Sequence, residues 1–494
     1  MAIKDIKGAG QPPRNGRKWI FLVIILVLVA GGIFAAYRLI ADRPVDYADI
    51  REHFKYGSIG SEPVNGIPYW IWKVLPEMFP EKLPGKGYAS LGFLVEPGKE
   101  TPIGFSQRMV FVNRAGLNCA VCHTGTYRES ANSQPNIVLG MPANKLDLQG
   151  YINFLTDCAL DRRFSPGYMI PAIEAIGGKL NFLERFIYQN IAIYQTRDAL
   201  ISQGKQLELL KEHHWGPGRV DTFNPYKALK FNFPMEKLPP EEIIGAADLP
   251  SIWNQGPRQG MQLHWDGNNT VVQERNKSAA LGAGVTPTSI DLPRLKRIED
   301  WLWQLPAPKY PFPIDKDLAA KGEPVYTKHC AACHDFGEPK VGTVTKIDEI
   351  RTDPYRLNSY TYEFLSNQNT LYAGYPWRFQ HFRKTDGYAN QPLDGIWLRA
   401  PYLHNGSVPN IWALLQPVEN RPVKFYRGYD VYDQKNVGFV SDVPEENGYR
   451  YFLYDTSVKG NGNQGHLYGT TLPPADKKSL IEYLKTMGPV EGES

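Results

Sequence analysis

Four of the five cysteines fall into two copies of one five-residue pattern, Cys119-Ala-Val-Cys122-His123 and Cys330-Ala-Ala-Cys333-His334. Two thiols three positions apart, followed at once by an imidazole, can add to the two vinyl groups on one porphyrin edge and offer a nitrogen to the iron. A dithiol redox pair would need one copy in a thioredoxin-like setting, and a zinc site would need the two pairs to converge. Two copies among five cysteines and ten histidines predict two covalently bound haem c groups. Cys158 is left over and reads as a buried, inert thiol.

The sixth iron ligand decides what each haem does, because an iron with two strong ligands passes electrons and an open one binds O2 or peroxide. For the second haem, the distal ligand is sought in the loop ahead of the last helix, Asn461-Gly-Asn-Gln-Gly-His466-Leu-Tyr-Gly, where His466 is the only His or Met. His466 is therefore the predicted ligand, which makes that haem bis-His. His404, in Arg399-Ala-Pro-Tyr-Leu-His404-Asn-Gly-Ser, is the competitor, and more simply it helps Arg399 hold a propionate. For the first haem, Met141 and Met169 follow His123 by 18 and 46 residues, but lone methionines are more often core. His213 and His214 end a charged stretch and read as solvated. These residues predict an open or weakly ligated first iron.

Between the two motifs lies the densest polar and aromatic segment, with Leu263-His-Trp265-Asp266-Gly-Asn-Asn followed by Gln273-Glu274-Arg275-Asn276. Trp265 is a candidate hopping station between two macrocycles. Glu274 is a candidate proton donor or acceptor, and Arg275 a candidate stabiliser of negative charge on an oxygen species. A buried aromatic and a surface ion pair would account for the same residues more plainly.

Several elements must position these groups. Residues 316–327 read as a helix with Gly322 and Tyr326 one turn apart, leading into Cys330. Residues 475–487 read as an amphipathic helix behind Pro473-Pro474, with Leu480, Ile481, Leu484 and Met487 at the helical period. The two are expected to cross through a Gly/aromatic contact beside the second haem. Residues 144–159 and a long stretch from 182 to 215, interrupted at Gly204, read as helices of the first domain. The aromatic, Pro-rich run 67–84 reads as a lid or as core. The expected fold is mainly α, with two cytochrome c-like haem domains carrying long loop insertions, behind one transmembrane helix. The expected parts are a first haem domain at 45–240, an interdomain segment at 241–310 and a second haem domain at 311–490.

Charge supplies an address. The chain has 494 residues and a formal charge of +4, and residues 1–18 hold five bases against the single acid Asp5. The rest of the chain balances to zero, which excludes a basic nucleic-acid-binding body. Residues 19–37 are free of charge, long enough at about 1.5 Å per residue to span a bilayer. A basic cytoplasmic tail at 1–18 and an anchor at 19–40 would put the body in the periplasm of a bacterial inner membrane, single-pass. A cleaved signal peptide is the alternative.

Two C-x-x-C-H sites flanking an L-P-S-x-x-N and W-D-G segment, with A-P-Y-L-H-N-G-S after them, resemble the bacterial di-haem cytochrome c peroxidase superfamily. The wording Gly216-Pro-Gly-Arg219-Val-Asp221, His264-Trp-Asp-Gly-Asn-Asn269 and Gly465-His466-Leu-Tyr-Gly469 is closer still to the rubber-oxygenase-like branch. The resemblance implies that His123 and His334 are proximal ligands, that His466 is distal on the second haem, and that Trp265 bridges the two. It implies a reactive N-terminal haem fed by a C-terminal relay, and a Ca2+ between the domains near residues 266–269. Where the peroxidases carry a Gln about ten residues after the Trp, this chain has Arg275. The expected function is a haem-dependent oxidoreductase, peroxidase- or oxygenase-like, with a redox protein or quinol-linked donor as partner. A pure electron carrier is the alternative, and a haem-based sensor a third.

Overall fold

The structure, a computed structural model, describes residues 19–27, 29–32 and 42–489. An antiparallel sheet delivers the first motif. Its strands lie in the spatial order Asp42–Pro44, Phe105–Val110, Val112–Leu117 and Ile67–Pro68. The middle pair is a hairpin with Val110 opposite Val112, so Phe111 alone makes the turn at φ 62°. At the end of this hairpin the Asn118 side chain accepts from Ala120 N at 3.0 Å and caps the short 3-10 helix Cys119–Val121. A second hairpin, Thr124–Tyr127 with Asn136–Leu139, carries the chain away from His123.

The aromatic run is core. Helix Tyr69–Met78 buries Tyr69, Ile71, Trp72, Val74 and Leu75, and the Trp72 ring stacks on Tyr88 at 4.7 Å. The same cluster holds Phe105, Tyr151, Phe154 and the fully buried Cys158, as expected of an inert thiol. Helix Leu148–Leu160 begins where Asp147 accepts from Gly150 N at 2.8 Å. It packs on helix Ile193–Gln206, which continues from Phe182–Ile187 through a π turn at Tyr188–Ala192. Gly204 does not break that helix. A Cβ there would collide with Thr156, so the glycine marks the close approach of the two helices.

The second motif sits on the expected framework. Helix Lys316–His329 crosses helix Pro474–Leu484 at Gly322, where a Cβ would run into the Ser479 carbonyl, and Tyr326 lies 5.2 Å from the Tyr483 ring. Leu480, Ile481 and Leu484 face the core from the second helix, each burial contributing roughly 1.5–3 kcal/mol.

The expected fold class needs correction. The described residues are 42% helix with about 12% strand rather than mainly α. The physical reason is visible at the first motif, where paired strands and hairpins do the positioning that a crossing helix pair does at the second. Among the described residues, no helix is long and apolar enough to cross a membrane. Residues 19–27 and 29–32 are helical, while the expected tail at 1–18 and the end of the expected anchor at 33–40 lie outside the described residues.

Candidate haem-binding site

His334 closes the short helix Ala331–His334, and its Nδ1 lies 2.8 Å from the Gln391 carbonyl. A carbonyl only accepts, so the proton is on Nδ1 and the lone pair on Nε2. The facing ring is His466, whose centroid stands 6.3 Å from that of His334 with the planes at 42°. Two imidazoles on opposite sides of one iron, each with a metal–nitrogen bond of about 2 Å, have ring centres roughly this far apart. Burial, together with His334 and Arg421, pushes the His466 imidazole down to about 3, so it stays neutral and able to ligate. Cys330 and Cys333 carry free thiols beside the pair, the first pushed up to about 11 by burial. The residues fit a bis-His haem c.

His404 is placed elsewhere. Its ring stacks on Tyr388 at 3.9 Å, and its buried Nε2 has no hydrogen-bond partner. Arg399 is engaged by Asp394, at 2.9 Å, and by the Pro392 carbonyl at 2.7 Å. Its charge bears on His334, whereas that of Arg356 and Arg219 bears on His404. The two residues expected to share a propionate thus face different surroundings, and Arg399 keeps an unpartnered buried Nε.

At the first motif, His123 Nδ1 lies 2.9 Å from the Pro250 carbonyl, which again leaves the Nε2 lone pair free. The ring is half-buried, and desolvation, with Arg275 second, pushes it down to about 4. Cys119 and Cys122 are pushed up to about 12 by burial. Two thiols and an imidazole with a free Nε2 fit a second haem c. Arg275 is near enough for its charge to bear on this group. Burial pushes it down to about 10, Cys119 counteracts this, and its charge depresses both His123 and His264. His264 itself is held at φ 62° with a buried Nε2 that has no partner. The two methionines are occupied elsewhere: Met169 in the first apolar cluster, Met141 in the second beside Trp253 and Ala331.

Trp265 donates from Nε1 to the Asp248 carbonyl at 2.8 Å and packs against the cluster of Ile350, Leu357 and Tyr388. Ile350 in turn accepts from His466 N at 2.8 Å, so the indole stands next to the second site. Glu274 is more heavily bonded than a proton shuttle requires. Its oxygens accept from Gln380 N at 3.0 Å, His381 N at 3.1 Å, Asn269 Nδ2 at 3.1 Å and the His381 ring at 2.8 Å. Asp266 pairs with Arg356 at 3.1 Å, and no group of three His, Cys, Asp or Glu among the described residues is arranged to hold a metal ion.

Sequence reasoning missed the carbonyls of Pro250 and Gln391, which carry no residue-type signal. It also missed Asp394, which pairs with both Arg258 and Arg399. Arg421 escaped notice as well, although a lone Arg just before Pro422 was legible.

The uncharacterized protein y4iM of Sinorhizobium fredii (strain NBRC 101917 / NGR234) is 32% identical over 293 residues, covering 51% of this chain and 66% of that protein. The uncharacterized protein y4iJ of the same organism is 25% identical, covering 96% of this chain and all of that protein. This chain thus spans just under two thirds of the first relative and the whole of the second. The family described as RoxA-like, cytochrome c-like matches residues 387–427, the stretch that holds Gln391, Arg399, His404 and Arg421. That match supports a RoxA-like cytochrome, whose cytochrome c-like domain implies covalently bound haem c.

Proposed function

We propose that the chain is a di-haem cytochrome c oxidoreductase that works outside the cytoplasm, where c-type haem is attached. Cys330, Cys333, His334 and His466 hold a closed relay haem, which takes electrons from a redox partner. Cys119, Cys122 and His123 would hold a second haem, which would supply the reactivity toward O2 or peroxide. Trp265 connects the two. Arg275, which has no hydrogen-bonded acid among the described residues, stabilises negative charge at the first haem, and Glu274 braces the segment that presents it. The observation that carries this reading is the placement of the His334 and His466 rings, tilted at 42° with centroids 6.3 Å apart. It makes one haem six-coordinate and leaves the chemistry to the other.

A second reading, a pure electron carrier, draws on the unpartnered, buried Nε2 of His264 close to Arg275. If that imidazole closes the first haem, neither iron is open. Low-temperature EPR of the oxidised protein separates the two. One low-spin signal plus one high-spin signal that changes with azide supports the oxidoreductase. Two low-spin signals indifferent to added ligands overturn it, and loss of one of them in His264→Ala establishes the carrier.

A further inference from the structure

Arg421 is buried, and among the described residues no carboxylate is paired with its guanidinium. Its five N–H donors are spent instead on backbone carbonyls. Nε donates to Gln416 O at 3.2 Å. Nη1 donates to Asn463 O at 2.5 Å and Gly465 O at 2.9 Å. Nη2 donates to Leu414 O and His466 O, both at 3.2 Å. One cation therefore ties the end of the short helix Ile411–Leu414 to the loop that carries His466.

The loop needs such a tie. Gly465 and His466 both have positive φ, 78° and 47°, and the left-handed region is one that a residue with a Cβ avoids. A Cβ on Gly465 would collide with the backbone of Arg351 and Thr352, so the loop lies close against the chain just after the short helix Ile347–Ile350. The backbone of the ligand is anchored besides by His466 N, which donates to Ile350 O at 2.8 Å. A charge buried without a counter-ion is costly, and hydrogen bonds made by a charged donor are the strong ones. A planar fork reaching several carbonyls at once is a geometry that Lys, a point donor, cannot reproduce.

We propose that Arg421 is the positioning residue that holds His466 on the iron of the second haem, and so keeps that haem closed. The inference rests on the reading of His466 as the distal ligand.

The test uses the holoprotein with both haems attached, and compares His466→Ala, Arg421→Lys and Arg421→Gln by EPR and by the potential of the second haem. His466→Ala is expected to convert the second haem to high spin, and added imidazole to restore the low-spin signal. Arg421→Lys, which keeps the charge and loses the fork, is expected to lose most of the low-spin signal as well, again restored by imidazole. Arg421→Gln should do the same and also lower the potential, because a positive charge near the iron is gone. If His466→Ala leaves the signal intact, the ligand assignment fails and the inference falls with it. If His466→Ala turns high-spin while both Arg421 variants keep the wild-type signal, the assignment stands and the role of Arg421 is overturned. Should neither Arg421 variant yield protein with two haems, Gly465→Ala decides, since its Cβ forces the loop away from Arg351 and leaves Arg421 in place. Loss of the low-spin signal then supports a loop held under constraint, and an unchanged signal overturns the proposal.

Discussion

His123 and Trp265 hang from carbonyls two residues apart on one stretch of backbone: Pro250 O faces His123 Nδ1 at 2.9 Å, and Asp248 O accepts from Trp265 Nε1 at 2.8 Å. That stretch is itself tied down, since Asp248 N donates to His404 O at 2.9 Å and the Asp248 carboxylate accepts from Arg427 at 2.6 Å. The proximal imidazole of one motif and the indole beside the other are thus joined by two hydrogen bonds and three residues.

Trp265→Phe keeps an aromatic ring against Tyr388 and removes the bond to Asp248. Electron transfer between the haems should slow by roughly tenfold or more, a barrier increase of about 1.4 kcal/mol. Stopped-flow reduction of the second haem, followed by the arrival of the electron at the first, measures it. An unchanged rate would remove Trp265 from the route.

Glu274→Gln places an amide N–H2 among donors that now point at a carboxylate. A buried acceptor network broken in this way costs about 1–3 kcal/mol, so the urea midpoint should fall. The pH profile of turnover should keep its shape. If stability holds and one limb of the profile disappears, Glu274 moves protons and the bracing role is wrong.

Gly322→Ala drives a methyl into the Ser479 carbonyl where the two helices cross. Overpacking of this kind costs about 1–3 kcal/mol. The melting temperature should drop, and a melt followed at the absorbance of the second haem should shift with it. A variant as stable as the parent would mean that the helices do not cross there.

Lys227 is fully buried, its ammonium donates to Glu242 O at 2.7 Å, and burial pushes it down to about 8 from 10.5. Below pH 8 the folded protein carries this charge at a cost, and between pH 8 and 10.5 the unfolded chain binds more protons than the folded one. Stability from this group therefore rises with pH across that window, by up to about 3 kcal/mol. Relative to Lys227→Met, the wild type should gain by that order between pH 7 and 10.5 in urea titrations. A constant difference between the two would show that the lysine is solvated.

The covalent chemistry was legible because it is local. Five consecutive residues suffice to define a c-type haem attachment, and the period linking Gly322 to Tyr326 needs only one turn of helix. His466 could be singled out because its glycine-rich loop offers no other His or Met. The sheet at the first motif was not. Its hairpin turns on Phe111 with no Gly or Asn to announce it, and its strand buries Ser106 against the buried Glu62, which breaks the expected apolar alternation. The reading of a mainly α chain failed on that account.

By itself the sequence determined which atoms can bond to a porphyrin, because that is set by residue type and spacing. Only the tertiary structure decided which imidazole faces which, which carbonyl fixes each tautomer, and what holds His466 in place. His123 meets Pro250 across 127 residues and His334 meets Gln391 across 57. Every residue has a carbonyl, so such partners leave no trace in side-chain identity and exist only once the chain has folded.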